Sequence, residues 1–286
     1  MNNRLFINLH PGTTYIDKLT GKTKVRLFLL FIVILIATWD LRIILPLFVL
    51  FLIALLSLHP SWKRIRPLVI FVVAVNLLNL FLMWLVEPDY GLQMVGGSTI
   101  LFRFNSYAIV TRETMWYFLV RFMKFMATFL VSLVFIQSIT PSELAAGLYS
   151  IRMPYKGCFI VELAFRYIPD IARDFSNIKI SMQARGMELD SRKTKLSTRL
   201  KQNVLILAPL IITSFDRVGN IANAMDLRGF GKEKTRTYYS EHEDTPGDRQ
   251  MRIVILLQIV LFVLLVIHNI RFGSDLIWSP WYLGGI

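Results

Sequence analysis

Long apolar stretches constrain this chain more than any other feature of its sequence. A membrane-spanning helix needs about 20 mostly apolar residues. Four stretches meet or nearly meet that length, and a fifth needs help from its flanks. Hydrophobic residues make up 55% of the chain and the mean hydropathy is +0.53, too apolar for an ordinary soluble domain. The sequence therefore predicts an integral membrane protein with spans at Val25–Trp39, Ile43–Leu58, Leu68–Val86, Met115–Ile136 and Ile253–Ile270.

The first predicted span is the shortest of the five. We expect its helix to begin near Thr23, with Lys24 and Arg26 extending toward the lipid headgroups. The charged flank before it is long and no small-residue cleavage site follows it, so this helix is expected to remain in the mature protein.

Basic residues predict the orientation. The chain carries 32 Lys and Arg against 19 Asp and Glu. In a membrane protein this excess is typical of cytoplasmic loops, so it does not indicate a nucleic-acid partner. With the N-terminus inside, 26 basic residues fall on the cytoplasmic side and 4 on the outer side. The N-terminus is therefore expected to be cytoplasmic and, after five spans, the C-terminus outside.

The spans divide the chain into three regions. Residues 1–137 form a four-span membrane region, 138–250 a cytoplasmic helical region, and 251–286 the last span and tail. Between the third and fourth spans, Glu87–Glu113 contains alternating apolar residues and glycines, which predict a short hairpin or structured cap. The aromatic tail Trp278–Ile286 indicates an interfacial anchor.

The region 138–250 opens with a strong helix start. Thr140 is suited to the N-cap, Pro141 to the first helical position, and Glu143 to a capping box. An amphipathic stretch at Cys158–Ile168 follows. Longer helices are then predicted from about Pro169 to Arg185 and from about Thr198 to Arg228, joined by a basic linker at 187–197 and followed by a polar segment at 231–249.

Both of these longer helices end in Arg-Gly. Arg185 and Arg228 each precede a glycine, Gly186 or Gly229, that suits a left-handed C-cap. An arginine in the last turn also matches the negative end of the helix dipole. Such an end presents a planar five-donor cation that can pair with a partner's carboxylate. Ordinary C-capping is the alternative explanation, and spacing alone does not decide between them.

Around these ends the sequence resembles the transmembrane coupling subunit of energy-coupling factor transporters, which are ATP-driven importers of vitamins and transition-metal ions. Ala184-Arg185-Gly186 matches the family's Ala-Arg-Gly motif, and Leu227-Arg228-Gly229 departs from it at the first residue. The similarity extends over nearly the whole chain, through IDKLTGKTKV, GGSTILFRFNSYAIVTRE and SITPSELAAGLYSIRMPYKGCFIVELAFRYIPDI.

The resemblance implies an all-α membrane protein with about five transmembrane helices and two to three long cytoplasmic coupling helices. Its expected location is a bacterial or archaeal cell membrane, with the lipid bilayer, two ATP-binding-cassette ATPase subunits and a substrate-binding membrane subunit as partners. The ATPases would bind Ala184, Arg185, Gly186, Leu227, Arg228 and Gly229. An apolar run would serve helix crossing or the substrate-binding subunit: Val204, Leu205, Ile206, Leu207, Leu210 and Ile211.

The sequence gives little support to nucleotide binding, metal binding or cysteine chemistry in this chain. Gly21-Lys22-Thr23 resembles the end of a phosphate loop, but Ile16 stands where that loop needs glycine. The four histidines show no metal-ligand spacing, and the single Cys158 excludes an internal disulfide or a cysteine zinc cluster. We therefore expect a non-catalytic chain that binds no cofactor or metal. The alternative function is a stand-alone secondary transporter, which inverted repeats of broken helices would support.

Two charges within the fourth span, Arg121 and Lys124, leave their role open. Charge at membrane depth is costly and usually functional. Both also lie near enough to the outer end to extend toward the headgroups. The transported substrate is not determined by the sequence.

Overall fold

The computed structural model describes residues 14–60, 62–95, 99–103, 109–187, 196–232, 245–272, 277 and 280–281. Its contacts divide the chain into two compact units. The first unit is Met1–Gly147 with His242–Ile286, and the second is Leu148–Glu241. The chain thus leaves the first unit once and returns to it once.

The described residues are almost entirely helical, and the predicted all-α membrane fold is confirmed. The first unit contains α1 to α5, β1, β2, most of α6, and α9, whereas α7 and α8 belong to the second. Their bounds are α1 Gly21–Ala37, α2 Leu41–Ser57, α3 Trp62–Val86, α4 Tyr90–Val95, β1 Ile100–Arg103, β2 Ile109–Thr111, α5 Arg112–Ser138, α6 Pro141–Ser150, α7 Tyr155–Ala184, α8 Leu196–Leu227 and α9 Pro246–Phe272.

By length and composition, four helices of the described chain can cross a membrane. They are Ile65–Val86, Arg112–Ser138, Pro246–His268 and Val204–Leu227. The first three coincide with predicted spans. The predicted first two spans form α1 and α2, which have 17 residues each and are thus about 25 Å long. The apolar run that starts at Val204 is the beginning of a longer apolar stretch of α8, Val204–Leu227.

The core of the first unit lies around α5, which packs against α1, α2 and α4. Val120, Ala127 and Val131 on α5 are fully or almost fully buried, as are Leu35 on α1 and Ile44 on α2. Most of the α3 side chains remain exposed instead. The reason is that, among the described elements, α3 packs closely against α5 and no other helix.

The hairpin predicted between the third and fourth spans is confirmed in its described part. β1 and β2 pair antiparallel, with Ile100 opposite Thr111. Thr111 also caps α5, since its hydroxyl accepts a hydrogen bond from the Thr114 amide at 3.2 Å. Residues 104–108 of the hairpin lie outside the described residues.

The predicted helix boundary at Pro169 is wrong. The amphipathic stretch from Cys158 and the helix expected from Pro169 form one continuous helix, α7. Proline removes a single helical hydrogen bond, and a helix of 30 residues keeps the bonds on both sides of it. The linker at 187–197 and the polar segment at 231–249 fall mostly outside the described residues.

The C-terminal tail is described only at Ile277, Pro280 and Trp281. The Trp281 ring lies 5.2 Å from the Trp116 ring, and the Arg112 guanidinium lies 3.5 Å from the Trp281 centroid. These contacts at the start of α5 agree with an aromatic anchor at one membrane surface.

Candidate functional site

The first Arg-Gly end closes α7 with a Schellman motif. Gly186 has a φ of +89°, in the left-handed region that favours glycine. Its amide donates to the Gln183 carbonyl at 3.0 Å, and the Met187 amide donates to the Met182 carbonyl at 3.1 Å. These two bonds satisfy carbonyls that the end of the helix leaves unpaired. The left-handed cap predicted at Gly186 is confirmed.

The second Arg-Gly end has the same backbone arrangement. Gly229 has a φ of +69°. Its amide donates to the Asp226 carbonyl at 3.0 Å, and the Phe230 amide donates to the Met225 carbonyl at 2.9 Å. The two ends, 43 residues apart, are therefore repeats of one local structure.

Both ends are accessible. Ala184, Arg185, Gly186, Leu227 and Arg228 are exposed, and Gly229 is half-buried. Leu227 is 90% exposed, more than any other large apolar side chain among the described residues. A leucine and an arginine thus lie uncovered side by side at the end of α8. Such a pair offers both apolar contact and charge to another protein.

The helices that carry these ends run antiparallel. Arg217 on α8 pairs with Asp174 in the middle of α7. The Phe230 ring, just beyond α8, lies 4.7 Å from the ring of Phe159 and 5.7 Å from that of Tyr155, near the start of α7. The two Arg-Gly ends consequently lie at opposite ends of the helix pair.

The ion pair lies midway between the ends. Asp174 precedes Arg185 by eleven residues, and Arg217 precedes Arg228 by the same number. At 1.5 Å per residue each end extends about 16 Å from the pair, so the two arginines are on the order of 30 Å apart. This separation suits two docking sites on two different proteins better than one shared site.

The surroundings of the two ends differ. The second end is supported by an aromatic cluster of Tyr149, Tyr155, Phe159 and Phe230. At the first end, no described atom lies within 4 Å of a Cβ built on Gly186. The cap at the end of α8 is therefore packed against α7, whereas the cap at the end of α7 has open space beside it among the described residues.

The apolar run on α8 divides between surface and interior. Ile206 and Leu210, one helical turn apart, are 0% and 8% exposed, so they pack within the chain, in keeping with helix crossing, one of the two roles that the sequence suggested. The periodicity of the helix turns these two positions inward together. The remaining positions of the run are exposed: Val204, Leu205, Leu207 and Ile211.

A buried polar junction in the first unit lies where the chain enters α6. The Lys24 ammonium donates to the carbonyls of Asp17 and Ser138, both at 2.8 Å, and to Glu143 Oε2 at 2.9 Å. Lys24 is only 4% exposed, so the expectation that it extends toward headgroups is wrong. Three acceptors compensate its charge there. Glu143 also accepts from the Thr140 amide at 2.9 Å, which confirms the predicted capping box.

A second capping box, which our sequence reasoning missed, begins α9. Asp248 Oδ2 accepts from the Thr245 amide at 2.8 Å, while Asp248 Oδ1 accepts from the Thr20 amide at 3.0 Å. The Thr-Pro-x-acid pattern at 140–143, repeated at 245–248, was the available signal. Residues 17–24 thus hold the first turns of both α6 and α9, the helices through which the chain leaves and re-enters the first unit.

The two charges within α5 have different neighbours. The Lys124 ammonium donates to the Ile36 carbonyl at 3.0 Å and lies 3.8 Å from the centroid of the Trp39 ring. The Arg121 guanidinium instead faces Asn79 on α3, to which it donates at 3.1 Å. Among the described residues, no group of three or more His, Cys, Asp or Glu is placed to hold a metal ion.

These features define a class: a multi-pass helical membrane protein whose second unit carries two exposed helix ends with the same capping structure. Comparison with known proteins gives the family. The model of the cobalt transport protein family, CbiQ, matches residues 14–239, and the chain belongs to that family.

Its relatives carry a consistent description. The energy-coupling factor transporter transmembrane protein EcfT of Staphylococcus aureus (strain 04-02981) is 23% identical over 278 residues, covering 92% of this chain and 98% of the relative. The protein of the same description from Clostridium kluyveri is 27% identical over 279 residues, covering 92% and 96%. That from Exiguobacterium sibiricum is 26% identical over 270 residues, covering 90% and 95%.

Proposed function

We propose that this chain transmits the motion of two partner ATPases to a separate substrate-binding membrane protein. Its family and relatives make it the transmembrane coupling subunit of an energy-coupling factor type importer. The observation that carries the mechanism is the pair of exposed, identically capped Arg-Gly ends at opposite ends of an antiparallel helix pair.

Each end is suited to a groove that contains a carboxylate. The guanidinium offers a fork of donors that matches a carboxylate with two hydrogen bonds. Glycine at the cap lets a partner's backbone approach where a side chain would otherwise stand. One ATPase would bind Ala184, Arg185 and Gly186, and the other would bind Leu227, Arg228 and Gly229. ATP hydrolysis then takes place in these partners rather than in this chain.

The separation of the two Arg-Gly ends determines how motion of the ATPases would move α7 and α8. When ATP draws two ATPases together, their grooves approach each other and carry the two ends with them. Because the Asp174–Arg217 pair lies midway, equal displacements of the ends tilt α7 and α8 about that point. The exposed part of the apolar run, which includes Val204 and Ile211, would pass this motion to the substrate-binding subunit.

The buried junction provides a route into the first unit. The chain enters the second unit through α6 and leaves it toward α9, and residues 17–24 hold both helix starts. Gly21 and Gly147 allow close packing there, since a Cβ on Gly147 would come within 2.5 Å of the Gly21 carbonyl oxygen. A displacement of either connection would therefore act on α1 directly.

The deciding experiment is copurification of the ATPases with the tagged chain. Reversal of both arginines, Arg185→Glu with Arg228→Glu, would place carboxylate against carboxylate. Loss of one member of a buried interfacial charge pair costs about 2–5 kcal/mol, and reversal should cost at least that. We expect the double variant to reach the membrane at normal levels but to retain neither ATPase.

The control is Arg173→Glu, a single charge reversal of the same kind at an exposed position of α7 away from both ends. This variant should retain both ATPases. Full retention by the double variant as well would reduce the two motifs to ordinary helix caps, with a loss of about 1 kcal/mol or less per end.

We also infer that the N-terminus is cytoplasmic, from the distribution of basic residues. A cysteine introduced near residue 97 should react with an impermeant thiol reagent from outside, whereas one near residue 193 should be protected. Both positions lie outside the described residues. The opposite labelling pattern would invert the orientation and place the Arg-Gly ends on the wrong side for cytoplasmic ATPases.

A further inference from the structure

A groove between α3 and α5 lies within the membrane-spanning part of the first unit. Its cavity volume is about 430 Å³. Most of its wall is apolar, but polar side chains from both helices also line it: Asn76, Asn79, Arg121, Thr128 and Ser132. The proposed docking of ATPases uses none of these residues.

Among the described residues, the groups that Arg121 contacts are all neutral. Its guanidinium donates to Asn79 Oδ1 and to the Tyr117 hydroxyl, each at 3.1 Å, and contacts the Met83 sulfur. Its Nε is buried and has no hydrogen-bond partner in the described chain. An arginine at membrane depth is costly unless a negative group accompanies it.

A second donor is also left without an acceptor. Asn76 is 7% exposed, and its Nδ2 has no hydrogen-bond partner among the described residues. The hydroxyls of Thr128 and Ser132 donate to the carbonyls one turn before them on α5, at 2.9 and 3.0 Å. Two hydrogen-bond donors of the groove, Arg121 Nε and Asn76 Nδ2, therefore lack an acceptor among the described residues. A buried donor without an acceptor destabilises the structure.

Lys124, one turn beyond Arg121 on α5, has different neighbours. Its contacts with the Ile36 carbonyl and the Trp39 ring come from α1 and the residues that follow α1. Lys124 therefore lies outside the lining of the groove between α3 and α5.

Depth distinguishes the occupants that could supply the acceptor. Arg121 is nine residues from the start of α5, or about 14 Å along a helix of about 40 Å. A bilayer with its headgroups is about 40–45 Å thick, so an α5 that spans it from end to end would hold the Arg121 Cα in the hydrocarbon region. A side chain of another transmembrane helix reaches that depth, whereas a lipid headgroup does not.

We propose that this groove binds a transmembrane helix of a second membrane protein, with an aspartate or glutamate of that helix against Arg121. The exposed apolar side of α3 would pack along the same helix through Phe71, Val75, Leu78, Leu82 and Leu85. The proposal concerns contact within the membrane and is independent of the two Arg-Gly ends.

The test uses a synthetic transmembrane peptide and the full-length tagged chain, reconstituted together in phosphatidylcholine vesicles. The peptide is a dye-labelled Leu-Ala helix of about 24 residues with a single Glu about nine residues from one end. After mild solubilisation, the tagged chain should retain this peptide about tenfold better than a peptide with Leu at that position. A Glu moved two turns deeper should lose the advantage.

Two variants separate Arg121 from general charge effects. Arg121→Gln should abolish the preference for the Glu peptide, whereas Lys124→Gln, the same loss of charge one turn away, should retain it. Equal retention of the Glu and Leu peptides by the wild-type chain would overturn the proposal and indicate that water, rather than a helix, occupies the groove. Loss of the preference on adding phosphatidylglycerol would also overturn it, in favour of an anionic lipid as the occupant.

Discussion

The two Arg-Gly ends share one backbone structure and differ in everything around it. Gly186 and Gly229 both adopt a left-handed conformation, and the same pair of hydrogen bonds closes each helix. The end of α8 is packed, since Phe230 lies against Tyr155 and Phe159. The end of α7 has no comparable support among the described residues.

This difference shows that a short motif can fix a helix end without fixing its position. The Schellman bonds are local, so both ends form them from the same sequence pattern. The direction in which each arginine points depends instead on tertiary contacts. The aromatic cluster fixes the end of α8 relative to α7, whereas the end of α7 would be free to adjust to the groove that we propose for it. We therefore expect the two ends to respond differently to mutation.

Removing the aromatic support should have the largest effect. Phe230→Ala deletes a half-buried ring and should destabilise the second unit by about 2 kcal/mol. The α8 end would lose its fixed direction, so the purified complex should retain one ATPase per chain instead of two. Thermal unfolding and ATPase stoichiometry measure the two effects separately.

The matched variant is Met187→Ala, at the equivalent position beyond α7. It should cost less than about 1 kcal/mol and leave both ATPases bound, because no described atom lies within 4 Å of a Cβ built on the neighbouring Gly186. Equal losses for Phe230→Ala and Met187→Ala would show that the two ends are supported alike.

Alanine at either cap should have an intermediate and similar effect. Gly186→Ala and Gly229→Ala each force a Cβ into a left-handed conformation, which costs about 1–2 kcal/mol. Gly219→Ala is the control: Gly219 lies inside α8 with open space around it, so alanine should stabilise the helix by about 0.5–1 kcal/mol. Urea denaturation of the three variants would reveal the opposite signs. A stabilising Gly186→Ala would contradict the left-handed cap.

The smallest effect on stability is expected at the Asp174–Arg217 pair. Both side chains are about one-third exposed, and ion pairs of this kind contribute little to folding. Arg217→Gln should therefore change the melting temperature only slightly while lowering ATP-driven transport, because the pair fixes the point about which both ends move. The charge-swapped chain, Asp174→Arg with Arg217→Asp, should recover transport. A swapped chain as inactive as the single variant would show that the pair does not set this point.

The sequence by itself determined the features that depend on local chemistry. Apolar length predicted the spans of α3, α5 and α9, and the Thr140–Glu143 pattern predicted a capping box that the structure contains. Glycine after arginine predicted both left-handed caps. These features depend on residues close together in the chain, so neighbouring side chains and backbone groups suffice to specify them.

Tertiary structure decided the features that depend on residues far apart in the chain. Pro169 suggested a helix boundary, but α7 continues through it. Lys24 suggested a headgroup contact, but the carbonyl of Ser138 and the carboxylate of Glu143 compensate its charge in the interior. The antiparallel pairing of α7 and α8 separates the two Arg-Gly ends, which the sequence alone presents as equal repeats. Burial changes the free energy of a charge or a helix end through neighbours that only the fold brings together, and sequence spacing does not reveal those neighbours.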